Sequence, residues 1–332
     1  MEFPELVAMA GAHAEARAIQ VALKLGVFEL LALRSLNESE MAGTLGTDQR
    51  GTMLLANAMV ALGLLEKHGG NYRLSGAADR YLVKSSPEYL GGMILFDEAI
   101  FPYWAKLEDS VRSGAAARSP DMFQSAPEDT ERFIRAMDSL TRARGDASWV
   151  ADNLNLAGVR TIADLGGGPG TYLAAILRRH LQIQGAIWDL PATLKVTRRI
   201  LDEREPDVTA RIELLEVDYL KAPLPGPADA VLMSNIVHSE EEADNTHLMA
   251  RCFDAISPGG LIVLKDHVMN RELTDPRAGA VFSLYLLLTT RGRDYSFDEI
   301  AGWLSAAGFI DTKMQRLPSP PFTSSLVTAR RP

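Results

Sequence analysis

At 332 residues, with 47% hydrophobic and 23% charged side chains, the chain has the composition of a folded protein long enough for two domains. Its 43 acidic and 34 basic residues give a formal net charge of −9, which disfavours a general nucleic-acid binder because phosphate contact needs a basic face. The single cysteine, Cys252, rules out an intrachain disulfide, points to a reducing compartment, and reads as a core residue in an apolar helical stretch.

The first residues lack the basic and apolar regions of a signal peptide, and no apolar run approaches the ~20 residues of a membrane span. A cytoplasmic protein with no membrane association is expected. Residues 1–90 are expected to be helical, with a closing hairpin. Ala18, Val21, Ala22, Leu25, Val27, Phe28, Leu30 and Leu31 recur near helical spacing, and short helices follow near Glu38–Leu45 and Gln49–Leu62. Leu64–Lys67 and Tyr72–Leu74 then flank the turn His68-Gly69-Gly70-Asn71, as in a winged helix.

Residues 91–156 read as an all-helical linker that contributes to a substrate pocket. Leu95, Phe101, Trp104, Leu107 and Val111 make one apolar stripe; Phe133, Met137, Leu140 and Trp149 make others, and 113–121 is a flexible connection. Residues 157–332 alternate strands with helices, which predicts a parallel sheet covered on both faces. The strands are Thr161–Leu165, Ala186–Asp189, Ile212–Val217, Ala228–Met233 and Leu261–Lys265; the helices are Tyr172–Arg179, Leu194–Arg204, Glu240–Ile256 and Phe297–Ala307. Ile310–Leu317 and Ser324–Ala329, either side of Pro318-Ser319-Pro320-Pro321, suggest an antiparallel hairpin on the sheet edge.

The first of these strands ends in Asp164 and enters a glycine-rich turn, Gly166-Gly167-Gly168-Pro169-Gly170, that opens a helix. Glycines permit a sharp turn and close approach of a ligand to the backbone, and the helix start offers unpaired amides. A dinucleotide site wants glycine at the first, third and sixth positions; here the sixth is Thr171, and the glycines fall at 166, 168 and 170. Asp189 ends the next strand, where a carboxylate can accept both ribose hydroxyls, and Asp218 follows the third, where one can accept from an adenine amine. Singly, each also fits a helix cap or a solvated loop acid.

Taken together, Ala163–Gly170, Trp188-Asp-Leu-Pro191, Val217-Asp-Tyr219, Met233-Ser-Asn-Ile-Val-His238, Ser257–Val263 and Ala307-Gly-Phe309 resemble the small-molecule O-methyltransferases that carry an N-terminal dimerisation domain. Caffeic acid, acetylserotonin and bacterial secondary-metabolite O-methyltransferases belong to this group. The resemblance implies a Rossmann-like α/β fold with a seven-stranded sheet whose last strand is antiparallel, plus a winged-helix dimerisation domain. It also implies a homodimer, S-adenosylmethionine as cofactor and a small aromatic substrate. Asp164, Gly166, Gly168, Gly170, Asp189, Leu190, Asp218, Tyr219, Ser234 and Asn235 are implied to hold the cofactor, and Phe101, Phe133, Met137, Tyr285 and Thr289 the substrate. His238 matches the general base, flanked by residues matching Asp266 and Asp294.

The chain departs from the plant pattern at two places. Ser239-Glu240 follow the histidine where Asp-Trp is usual, and Ser234 replaces a lysine that helps hold the cofactor; both resemble divergent bacterial members.

Methyl transfer from a sulfonium needs an aligned nucleophile and exclusion of water. An imidazole titrating near neutrality can take a hydroxyl proton, and a carboxylate behind it fixes the tautomer. Alternatives stay open. An S-, C- or N-acceptor, such as a carboxylate-bearing thioether, needs no base, and Arg142, Arg144, Arg291 and Arg293 bracket the presumed pocket. His238 also fits a strand-end histidine bonded to a loop, Asp266 a partner of Lys265 or Arg271, and Asp294 a turn acid beside Arg293. Strand alternation puts His267 on the opposite face from Asp266, in a structural role. The run Glu240-Glu241-Glu242 sits at a helix N-terminus, where the dipole favours acids, so no metal is expected. A winged-helix DNA-binding regulator is disfavoured because residues 46–62 carry only Asp48 and Arg50 as charges.

Overall fold

The computed structural model describes residues 1–318 and 324–332, so of the expected turn at 318–321 only Pro318 falls within the described residues. The chain divides into two compact units, one of Met1–Ile100 with Ser139–Arg144, the other of Phe101–Asp138 with Gly145–Pro332.

In the first unit, α1 (Phe3–Leu25) ends on Gly26, whose φ of +80° lets the chain turn into α2 (Val27–Leu33). Asn37 caps α3 (Glu38–Leu45) by accepting from the Glu40 N–H, and Asp48 caps α4 (Gln49–Ala61) through Gly51. The antiparallel pair β1 (Leu65–His68) and β2 (Asn71–Leu74) is the expected wing, with His68 opposite Asn71, and α5 (Gly76–Leu82) follows. Ala22, Phe28, Leu36, Met41, Met59, Leu65 and Tyr72 close one small core. The first half of α1 is exposed, including Phe3, Leu6, Val7 and Met9.

Two helices run from one unit into the other: α6 (Gly91–Trp104) and α8 (Pro127–Arg144). Of the stripe expected across the linker, Phe101 and Val111 are exposed rather than core, at 46% and 62%. The connection without a helix extends past 121 to the start of α8, after α7 (Leu107–Ser113).

The rest of the second unit is α9 (Asp146–Asn153), β3 (Thr161–Leu165), α10 (Thr171–Arg179), β4 (Gln184–Asp189), α11 (Pro191–Arg204), β5 (Ile212–Glu216), β6 (Ala228–Ser234), α12 (Glu242–Ala255), β7 (Ile256–Met269), α13 (Arg277–Thr289), β8 (Tyr295–Ser296), α14 (Phe297–Ala306), β9 (Ile310–Arg316) and β10 (Ser324–Arg330). The sheet order is β5-β4-β3-β6-β7-β10-β9. The first five are mutually parallel, whereas β10 runs antiparallel to both β7 and β9. These seven match the sheet that the resemblance implied; the two-residue β8 pairs with β7 as an addition to it.

Alternation along the strands sorts the core into two layers. Ile162, Ile187, Leu232 and Val263 face α9 and α10, while Leu165, Trp188, Val231 and Leu264 face α12 and α14. β7 is far longer than expected: Ile256 already pairs with Ala228, pairing resumes at Leu261 with Ala230 after an irregularity, and the strand continues past Lys265 to Met269. The sequence reading named no helix at α13, whose residues are apolar around most of its circumference and give no clean stripe. Cys252 is buried, and burial pushes its thiol up to about 12, as a core residue requires. Among the described residues no helix is long and apolar enough to cross a membrane.

Candidate active site

The carboxyl ends of the parallel strands bring two groups of side chains to one edge of the sheet. The first is built around the turn from β3 into α10. Gly166, Gly168 and Gly170 adopt φ of +65°, +52° and +77°, a region other residues enter only with strain. The turn also lacks room. A Cβ on Gly166 would come 2.3 Å from Ile236 Cδ1, and one on Gly170 2.8 Å from Ile187 Cδ1.

Asp189 fastens this turn from below. Its Oδ2 accepts the Gly168 N–H at 2.9 Å, and its Oδ1 accepts the Leu190 N–H at 2.7 Å. Burial pushes Asp189 up to about 6, although those two donors pull the other way. Asp164 is more extreme: buried, with no hydrogen-bond partner for Oδ1 among the described residues, it is pushed by burial and then by the Asp189 charge up to about 8. A buried carboxyl of this kind lacks a cation or a donor. The amino-acid end of S-adenosylmethionine carries an ammonium and is compatible with it.

Beyond β5, Asp218 accepts from the Leu220 N–H at 3.1 Å and from Lys221 Nζ at 2.7 Å. Tyr219 lies against the glycine turn, its Cε1 3.7 Å from where a Gly166 Cβ would be, and its hydroxyl donates to Glu240 Oε1 at 2.8 Å. Burial, followed by the charge of Glu240, raises the Tyr219 phenol well above its ordinary range. Glu240 Oε1 is thereby engaged by the Tyr219 hydroxyl.

The second group forms where β6 ends. Ser234 is followed by Asn235, a non-glycine residue at φ +57° whose N–H donates to the Lys265 carbonyl at 2.7 Å. Asparagine tolerates this left-handed conformation, so the chain reverses into the short turn Val237–Ser239 that carries His238. Asn245 holds that turn by donating to the Val237 and Glu240 carbonyls at 2.9 and 3.1 Å.

His238 Nδ1 lies 2.5 Å from Asp266 Oδ1 on β7 and 3.9 Å from Asp294 Oδ1, just before β8. All three residues are buried. Burial opposes charge on His238, but the Asp266 charge and hydrogen bond outweigh it, with Asp294 adding, and the imidazole titrates above its ordinary 6.5. Burial would raise Asp266 too, yet His238 holds it below the usual carboxylate range. Asp294 lacks such a bond, and burial pushes it up to about 7 despite the attraction of His238.

The carboxyl groups of Asp266 and Asp294 do not take the alternative side-chain partners considered for them, although Arg293 Nη1 donates to the Asp294 backbone carbonyl at 3.2 Å. Lys265 points to the other face of β7, where its ammonium is 3.3 Å from Asp146, and Arg293 bonds Glu299 at 2.6 Å. Lys265 is also the cross-strand partner of Ser234, so a lysine stands one strand over from the position where the family usually has one.

The expected substrate residues are less concentrated. Tyr285 stacks on Phe282, and Phe282 meets the His238 ring edge-on at 5.3 Å. Thr289 is buried and donates its hydroxyl to the Tyr285 carbonyl at 2.8 Å. Phe133 stacks on Phe123 at 4.6 Å and packs beside Ile134, Val196 and Ile200, while Met137 is half-buried further along α8 and Phe101 is exposed.

His267 lies nearer His238 than strand alternation alone suggests. Its ring lies 6.3 Å from that of His238 and stacks on the same Phe282, because α13 crosses the end of β7 and draws both rings to one aromatic wall. The sequence reading missed Phe282, although its spacing from Tyr285 and Thr289, at i+3 and i+7, was a usable signal once a helix is assumed.

The sheet order, the antiparallel last strand and the glycine turn at the strand ends fit an S-adenosylmethionine-dependent methyltransferase of the α/β class, and the family and relatives that the chain matches establish that class. The family described as the O-methyltransferase domain matches residues 104–310, and the O-methyltransferase dimerisation domain matches residues 7–84. The chain belongs to this O-methyltransferase family.

It is 32% identical to 3-hydroxy-5-methyl-1-naphthoate 3-O-methyltransferase of Streptomyces sahachiroi, over 91% of this chain and 88% of the relative. It is also 32% identical to the tetracenomycin polyketide synthesis 8-O-methyl transferase of Streptomyces glaucescens, over 95% and 93%. The fold is shared with human N-acetylserotonin methyltransferase, solved in complex with S-adenosylmethionine, at a TM-score of 0.89 and 24% identity, over 99% of this chain and 97% of that one.

Proposed function

We propose that this enzyme methylates a hydroxyl of a small aromatic metabolite, with His238 as general base. The observation that carries this reading is the 2.5 Å contact between His238 Nδ1 and Asp266 Oδ1. It commits Nδ1 to the carboxylate and leaves Nε2 as the acceptor. In this role His238 takes the hydroxyl proton, and Asp266 orients the ring and stabilises the imidazolium. Asp294 flanks the pair and adds negative potential when ionised. Phe282 and Tyr285 supply flat apolar surface beside the base, which suits an aromatic acceptor.

S-adenosylmethionine supplies the electrophilic methyl group. The turn Gly166–Gly170 would take its amino-acid part, with Asp164 receiving the ammonium. Asp189 retains lone pairs for the ribose hydroxyls beside its two amide donors. Asp218, Leu190 and Tyr219 would border the adenine, and Ser234 and Asn235 the methionine side.

The first relative named above is a 3-O-methyltransferase of a hydroxynaphthoate and the second an 8-O-methyl transferase of polyketide synthesis, and this chain is proposed to accept an aromatic hydroxyl of similar kind. It is further proposed to act as a homodimer in the cytoplasm, joined through its dimerisation domain, where the exposed Phe3, Leu6, Val7 and Met9 of α1 want cover. Residues 1–90, 91–156 and 157–332 would then serve dimerisation, the substrate pocket and the cofactor.

A crystal structure with S-adenosylhomocysteine tests the core of this reading. His238 Nε2 is expected to face the position the methyl group has left; a ring beyond the reach of one bridging water rejects the base. Calorimetry with no heat of S-adenosylhomocysteine binding rejects the cofactor assignment. Sedimentation at micromolar concentration is expected to give twice the monomer mass, and a monomer refutes the dimer.

A further inference from the structure

Behind the histidine, three potential ligand atoms converge. His238 Nδ1 and one oxygen each from Asp266 and Asp294 lie within 4.8 Å of one another. Asp294 is 1% exposed, and neither of its oxygens has a hydrogen-bond partner among the described residues. Its surroundings leave it little else to bind. Ser283 Oγ accepts from its backbone N–H at 3.1 Å, and a Cβ on Gly279 would come 3.0 Å from its Oδ2, so α13 closes the far side. A carboxyl enclosed in this way is neutralised either by a proton or by a cation at close range.

We propose that His238, Asp266 and Asp294 form an inhibitory binding site for a transition-metal dication of the zinc type. One imidazole nitrogen and two carboxylates suit zinc or cobalt, whereas calcium and magnesium want more oxygen ligands or retained water. The ion takes the place of the proton between His238 Nδ1 and Asp266; a neutral ring gives up that proton and takes one on Nε2, with no net release, a protonated ring releases one to solvent, and Asp294 releases another where it is protonated. Ligand atoms around zinc each stand about 2.0–2.2 Å from the ion, so the hydrogen-bonded pair opens by less than about an ångström to admit it.

The consequence for the reaction follows from the tautomer. A neutral imidazole with a metal on Nδ1 carries its proton on Nε2 and is a donor there. His238 then has no lone pair for the hydroxyl proton, and methyl transfer stops while the cofactor side is untouched. This rests on His238 being the base, so metal binding and inhibition are read separately.

The full-length protein is titrated with cobalt chloride, and the visible d–d absorption of low-coordinate cobalt is recorded. One cobalt per protomer is expected, displaced by zinc chloride, with zinc inhibiting turnover over the same concentrations. Asp294→Asn is expected to lose the band and to raise the half-inhibitory zinc concentration at least about tenfold, and His238→Ala to lose the band. Each variant is accepted only if it still binds S-adenosylhomocysteine with the wild-type affinity, which reports folding. His68→Ala, at an exposed histidine beside Glu66, keeps the band and the zinc response.

A band that survives in both site variants, or the absence of any band in the wild type, overturns the proposal. Equal zinc inhibition in wild type and Asp294→Asn overturns the inhibitory role. A band and its loss in Asp294→Asn, together with full activity of zinc-loaded enzyme, would keep the metal site and reject His238 as base. Failure of the wild-type enzyme to bind S-adenosylhomocysteine would strike the cofactor reading alone, and the wild-type cobalt band would still decide the metal site.

Discussion

The glycine turn and the histidine turn sit at the same edge of one sheet, but they are built in opposite ways. The glycine turn is local: five consecutive residues between β3 and α10 adopt a shape that three positive φ angles impose, and one carboxylate, Asp189, ties it down. The histidine turn is assembled from segments far apart in sequence. Asp266 is 28 residues from His238, and Asp294 arrives after all of α13. A cofactor shared by many enzymes can be met by a fixed local motif. A base must instead be placed against an acceptor peculiar to each enzyme, and long-range packing sets that placement.

That contrast can be broken most sharply at His238. His238→Ala is expected to lower kcat by about 100- to 10,000-fold while S-adenosylhomocysteine affinity stays put. Steady-state kinetics beside calorimetry checks it; unchanged turnover would mean the acceptor needs no base. The mirror experiment is Asp189→Ala, which removes the acceptor for the Gly168 and Leu190 amides. It is expected to weaken S-adenosylhomocysteine binding about 10- to 100-fold, and a wild-type dissociation constant would detach Asp189 from the cofactor.

A third test uses pH. The base works when neutral, and His238 is raised above 6.5 by Asp266, so the rate should fall as pH drops, with its midpoint above 6.5. Asp266→Asn removes the attracting charge and leaves burial, which favours the neutral ring; the midpoint should move to lower pH and kcat should drop about tenfold or more. A midpoint that does not move argues that Asp266 is not the partner that matters.

The smallest effect is expected at Gly292, which lies on the histidine turn so closely that a Cβ would be 2.2 Å from the His238 carbonyl oxygen and 2.6 Å from that of Glu240. Gly292→Ala should cost about 1–3 kcal/mol of stability in denaturant unfolding through overpacking, and reduce kcat more than cofactor affinity. Equal loss of both would show that the two turns are not independent.

The sequence by itself determined the order of the strands and helices apart from α13 and β8, the wing, the glycine turn, and which strand ends carry Asp189, Asp218 and His238. Each of these follows from spacing over a few residues, from periodicity or from glycine's freedom at positive φ. Only the tertiary structure decided that Asp266 and not Lys265 meets the histidine, since one residue of pleat sends Lys265 to Asp146 on the other face. It also decided that His267 shares an aromatic wall with His238, and that the Asp294 carboxyl is enclosed with no hydrogen-bond partner among the described residues. Those outcomes depend on where α13 crosses the end of β7, and that crossing is set by packing between segments that no local pattern connects.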